Sequence, residues 1–132
     1  MTKDERTYIK ECDCPEIQNG WEPKVWDKVE VRLKGHKWIA SVSVAVGDGV
    51  VIVIDDDGGR KVCMRKNLTF LPSLDQLIDM MGDRFKDLYR SLDTLWLCSI
   101  HSLGSLEDEK VIDGSTRKIA CLRAVKEIRK EG

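Results

Sequence analysis

Residues 28–54, KVEVRLKGHKWIASVSVAVGDGVVIVI, decide the fold. Val29, Val31 and Leu33 alternate with Lys28, Glu30, Arg32 and Lys34. That is the period of a half-buried strand, whose side chains point to opposite faces in turn. Gly35-His36 reads as a turn, and Trp38 to Val46 alternates again, with β-branched residues that suit a pleated surface. Gly47-Asp48-Gly49 supplies the positive-φ positions of a tight hairpin. Val50 to Ile54 is a continuous apolar run, the pattern of a central strand covered on both faces. Asp55-Asp56-Asp57-Gly58-Gly59 is the next turn and Arg60 to Lys66 the fourth strand. Four antiparallel strands in a meander with Gly-rich turns predict a small SH3-like barrel over residues 27–71.

Downstream of this meander the apolar period changes to 3.6. Leu74, Leu77, Ile78 and Met81 form one helical stripe, and Ser73 with Gln76 has the spacing of a capping box behind Pro72. Phe85, Leu88 and Leu92 continue the stripe after Gly82, which predicts a break at Gly82-Asp83 and a restarted helix capped by Asp83. Leu95 to His101 and Glu109 to Asp113 read as a strand pair. Asp113-Gly114-Ser115 then opens a last helix whose buried face is Ile119, Leu122, Val125 and Ile128. Residues 72–132 are therefore expected as an α-β-β-α unit, and the fold class as α+β. Two strands alone are barely stable, so a homodimer through strand or helix pairing is an expectation. Residues 1–26 are a polar lead-in with a helical turn around Glu5 to Glu11, ordered only by packing Tyr8, Ile9, Ile17 and Trp21.

The chain has 132 residues, 22 Lys+Arg against 23 Asp+Glu, and a net charge of −1. Such balance argues against a strongly electrostatic nucleic-acid binder or a polybasic membrane binder. No apolar run approaches the roughly 18 residues of a membrane span. The opening MTKDERTYIKEC has no apolar stretch and so no signal peptide, which points to a cytoplasmic protein. Five cysteines, an odd number, fit free thiols in a reducing compartment.

Candidate chemistry is sparse. Cys12 and Cys14 are weak metal candidates: structural zinc sites space the first pair by two to four residues, and no second Cys/His pair follows. The acidic run at 55–57 fails the register of a calcium loop and suits a solvated turn. Neither His36 nor His101 has a nucleophile or carboxylate at a motif spacing, and no Gly-rich loop opens a helix. The expectation is a non-enzymatic protein without catalytic residues, metal or cofactor. Its candidate binding residues are Trp21, Trp26 and Trp38, which suit an aromatic groove of the SH3 type, and Arg60, Lys61 and Arg65 of a basic stripe that continues to Lys66. The alternative is weak nucleic-acid binding on the barrel face, with Trp38 or Trp26 stacking on bases and Arg60 to Lys66 on phosphates.

Two segments carry a resemblance. Glu11-Cys12-Asp13-Cys14-Pro15-Glu16-Ile17-Gln18, with Trp21-Glu22-Pro23-Lys24-Val25-Trp26-Asp27, resembles the opening of small phage- and prophage-encoded proteins of Gram-positive bacteria. Phe70-Leu71-Pro72-Ser73-Leu74-Asp75-Gln76-Leu77, then Gly82-Asp83-Arg84-Phe85, is similar to the LPxxDQL segment in their middle. Ala120-Cys121-Leu122-Arg123-Ala124-Val125 looks like their helical ending. Where those proteins have Gly before the position of Asp27, this chain has Trp26. The resemblance implies a phage or prophage origin and an intracellular accessory role through an unknown protein partner or self-association. It implies no activity and no site residues.

Overall fold

The computed structural model describes residues 1–92, 94–102, 104 and 108–131. The protein is α+β, and its described residues form four α-helices and two antiparallel sheets in two compact units, Cys12–Pro72 and Met1–Glu11 with Ser73–Gly132. The lead-in is thus divided between them.

The first unit holds α2 (Pro15–Gln18) and strands β1 (Lys28–Leu33), β2 (His36–Gly47), β3 (Val50–Ile54), β4 (Arg60–Met64) and β5 (Leu68–Phe70). These form one sheet in the order β4-β3-β2-β1-β5. The first two hairpins turn on Lys34-Gly35 and Asp48-Gly49, all at positive φ, the geometry whose twist matches paired strands. His36 therefore begins β2 rather than completing the turn. The expected fourth strand stops at Met64. A 3-10 turn, Arg65–Asn67, follows it, and Leu68–Phe70 pairs with β1 as a fifth strand. Nor is β3 covered on both faces. Val51 and Val53 are buried beside Val42 and Cys63, but Val50, Ile52 and Ile54 are only half-buried. A register shift between Val42 and Val44 turns Val44 outward beside Ile52.

The second unit holds α1 (Lys3–Cys12, up to Glu11), α3 (Leu74–Met81), β6 (Phe85–Arg90), β7 (Trp96–His101), β8 (Glu109–Gly114) and α4 (Arg117–Glu131). The capping box forms as the sequence predicts, with Gln76 N donating to Ser73 Oγ at 3.2 Å and Ser73 N donating to Gln76 Oε1 at 2.8 Å. The expected α-β-β-α order needs correction. After a 3-10 turn at Gly82–Arg84 the chain forms a strand, not a second helix, and the sheet has three strands ordered β6-β7-β8. Phe85 and Leu88 carry a helical spacing because a bulge lies between them. Phe85 faces Ile100, Asp87 faces Ser99 and Leu88 faces Cys98, so the extra residue returns both apolar side chains to one face.

Ile119, Leu122 and Val125 of α4 are fully buried as expected, whereas Ile128 is half-buried. Gly114 belongs to β8 and not to the helix start. A Cβ there would lie 2.4 Å from Ala120 N, so only glycine lets the strand pass α4 so closely. The core between sheet and helices holds a sulfur cluster, with Cys98 Sγ 3.8 Å from Met81 Sδ and 4.0 Å from Cys121 Sγ. The contact with Cys121, then burial, push the Cys98 thiol far above the ordinary range. No helix among the described residues is long and apolar enough to cross a membrane.

Candidate functional site: a cationic groove beside β5

The first unit builds its groove from the second half of the lead-in. Pro15 starts α2, where its missing N–H costs nothing, and Ile17 anchors the turn in the core. Gln18 then reaches the outer edge of β5. Its amide nitrogen donates to the Phe70 and Cys12 carbonyls, both at 2.9 Å, and its Oε1 accepts from Phe70 N at 2.8 Å. One side chain therefore satisfies both backbone groups that Phe70 turns away from β1. Trp21 stacks on the Phe70 ring, with centroids 5.0 Å apart and planes 4° from parallel. The Trp21 indole N–H and the Lys24 backbone N–H both donate to Asp27 Oδ2 at 3.0 Å, which holds that carboxylate under the sheet end.

A groove of about 650 Å³ opens along this assembly. Trp21 and Leu68 form its apolar wall, and Gln18, Asn19 and Thr69 its polar floor. Arg32, Arg65 and Lys66 supply three positive charges against one carboxylate, Asp13, so its lining carries +2. The Arg65 guanidinium lies 5.6 Å over the Trp21 ring and donates to the Trp21 carbonyl. Arg32 donates to Glu30 Oε1 at 2.8 Å and to Asp13 Oδ2 at 3.0 Å, and the Glu30 bond above all raises its pKa. Arg32 is thus held in place, while Arg65 is aimed by an aromatic face rather than by a carboxylate.

The six residues expected to bind do not form one site. Trp21 and Arg65 meet in this groove. Trp38 lies apart from it, its indole N–H donating to Asp55 Oδ1 at 2.8 Å, with Lys61 Nζ 4.5 Å above the ring and 3.4 Å from Asp55 Oδ2. Arg60 opens β4 opposite Ile54. Trp26 is 71% exposed and sits at φ 75, the left-handed region that a bulky residue rarely occupies. Cys12 is fully buried and Cys14, half-buried, caps the start of α2. Among the described residues no group of three or more His, Cys, Asp or Glu side chains gathers to hold a metal. Gln18, Asp13 and Arg32 complete the groove and carry no motif. Only Arg32 has a sequence signal, as an outward position in the β1 alternation.

Compared with protein families, with curated proteins and with solved structures, the chain matches none.

Proposed function

We propose that this chain is a non-enzymatic, cytoplasmic interaction protein of phage or prophage origin, whose first unit is an SH3-like barrel that holds an acidic segment of a protein partner. The groove carries this reading. Trp21 and Leu68 offer apolar contact, while Arg65 and Lys66 offer charge that no carboxylate within the lining is placed to neutralise. Arginine on an aromatic face binds carboxylates well because its donors are fixed in a plane before the ligand arrives. The barrel is supported by the order β4-β3-β2-β1-β5 and by the single 3-10 turn between the two end strands, which lets a short meander curl. The origin is supported by the resemblance and by Trp26, whose positive φ occupies the place where the resembled proteins have glycine.

The test is a titration with hexaglutamate followed through the Trp21 indole N–H resonance. That resonance is expected to move in the natural protein and to stay still in Arg65→Glu, with binding that weakens as salt rises. No movement at any accessible concentration would overturn the reading. Single-stranded oligothymidylate, if it binds more tightly than hexaglutamate at low salt, would favour the nucleic-acid alternative. Light scattering of the same samples separates a partner-binding monomer from a self-associating chain.

A further inference from the structure

The basic stripe that leads into the groove is also an open sheet edge. Asp55 N donates to the Gly59 carbonyl at 2.8 Å and Arg65 N to the Gly49 carbonyl at 2.7 Å, which fixes the phase of the β3–β4 ladder. With Val53 opposite Lys61 and Val51 opposite Cys63, these pairs exchange the bonds between the strands. Arg60, Val62 and Met64 therefore turn their backbone N–H and C=O groups away from β3. β4 ends the sheet, and no other described strand pairs with it. The side chains above this edge are exposed, Val62 by 69% and Met64 by 42%. Val62 stands in a row with Ile52 and Val44 across the outer face.

We propose that this edge takes an extended segment of another protein as a sixth strand, one in which acidic residues alternate with apolar ones. The proposal deepens the reading above by naming the partner's form, and it rests on that reading. Main-chain pairing with Arg60, Val62 and Met64 supplies a template that any strand satisfies. The side chains then choose among strands. Val62 and Met64 ask for apolar neighbours on the outer face, and Arg65 and Lys66 at the end of the edge ask for acidic ones within residues 60–66, which contain no carboxylate, whereas Lys61 is already paired with Asp55. A second copy is a poor occupant. Antiparallel pairing of β4 with itself about Val62 would gather four cations from each copy into one ribbon, and like charges across paired strands repel. Because Arg65 and Lys66 also line the groove, a strand paired with β4 runs toward the site expected to hold acidic side chains.

The test uses the full chain and a blocked peptide of five Glu-Val repeats, with the corresponding Lys-Val peptide as control. Backbone amide exchange is read residue by residue. The Glu-Val peptide is expected to slow exchange at Arg60, Val62 and Met64, leaving Lys61, Cys63 and Arg65 protected with and without it. The Lys-Val peptide should bind at least about tenfold more weakly. Val62→Pro removes an outward N–H, a substitution that edge strands tolerate, and should abolish binding while the thermal transition persists. If Val62→Pro unfolds the chain, exchange in the natural protein alone decides. Binding that is lost in Arg65→Glu yet leaves exchange at Arg60, Val62 and Met64 unchanged would overturn the added strand and keep the groove. An absence of binding by both the Glu-Val peptide and hexaglutamate would overturn both.

Discussion

The two halves of the lead-in are held by different physics. Residues 12–26 attach to their sheet chiefly through the neutral Gln18 amide, which closes the Phe70 backbone, and through Trp21 lying flat on the Phe70 ring, with one ion pair, Asp13 to Arg32, beside them. Residues 1–11 attach to α4 through charge. Arg123 grips Glu11 with two bonds of 2.9 Å, Lys118 Nζ lies 4.7 Å over the Tyr8 ring, and Ser115 Oγ donates to Asp4 at 2.8 Å. The first attachment is part-buried and specific to shape. The second is partly exposed and sensitive to salt and acid.

The largest effect should come from Gln18→Leu. It keeps the bulk of the side chain but strands the Phe70 N–H and C=O, and leaving such groups unpaired costs about 1–3 kcal/mol each. Urea unfolding is expected to show a loss of about 2–3 kcal/mol, discounted because the site is only part-buried. A loss below about 0.5 kcal/mol would mean that water replaces the amide and that the comparison fails on its neutral side.

Trp26→Gly should act in the opposite direction. Left-handed backbone costs a residue with a Cβ about 1–2 kcal/mol, part of which glycine returns as unfolded-chain entropy. The exposed indole buries little, so a net gain of about 0.5–1 kcal/mol is expected in the same unfolding experiment. A destabilised variant would show that the indole packs in solution.

An effect of similar size, and one that pH can switch, belongs to the charged half. Arg123 bonds Glu11, and this, against the opposing pull of burial, lowers the Glu11 pKa below its ordinary value. A depressed carboxylate contributes stability that is fully present above its unfolded pKa, near 4.3, and is lost as pH falls through its folded value. Amides of residues 3–11 should therefore lose protection below about pH 4, while the Phe70 amide, held by a group that does not titrate, keeps it. Glu11→Gln should cost about 0.5–1 kcal/mol at neutral pH and remove that acid dependence. Equal responses of the two halves to acid would erase the distinction between them.

Much of the first sheet was legible because a strand with one covered face writes its pattern locally. Val29, Val31 and the run from Trp38 to Val42 alternate, and glycines mark both turns, although the first falls on Lys34-Gly35 and not on Gly35-His36. Leu68–Phe70 escaped, since three residues are too few to show a period. The bulge in β6 misled more deeply, because one extra residue converts strand spacing into helix spacing. The groove was half legible. Aromatic and basic residues announce themselves by type, so Trp21 and Arg65 stood out. Gln18 did not, because it acts on a backbone 52 residues away and no local pattern records that meeting. Trp38 and Lys61, also named by type, meet each other and Asp55 outside the groove lining.

Gln18 has one more consequence. A sheet open on both edges can polymerise, since each added copy exposes a fresh edge for the next. Here one terminus of the sheet is sealed, the Phe70 groups by the Gln18 amide and the Leu68 N–H by the Arg65 carbonyl. Growth through this sheet is therefore one-sided, confined to the β4 edge.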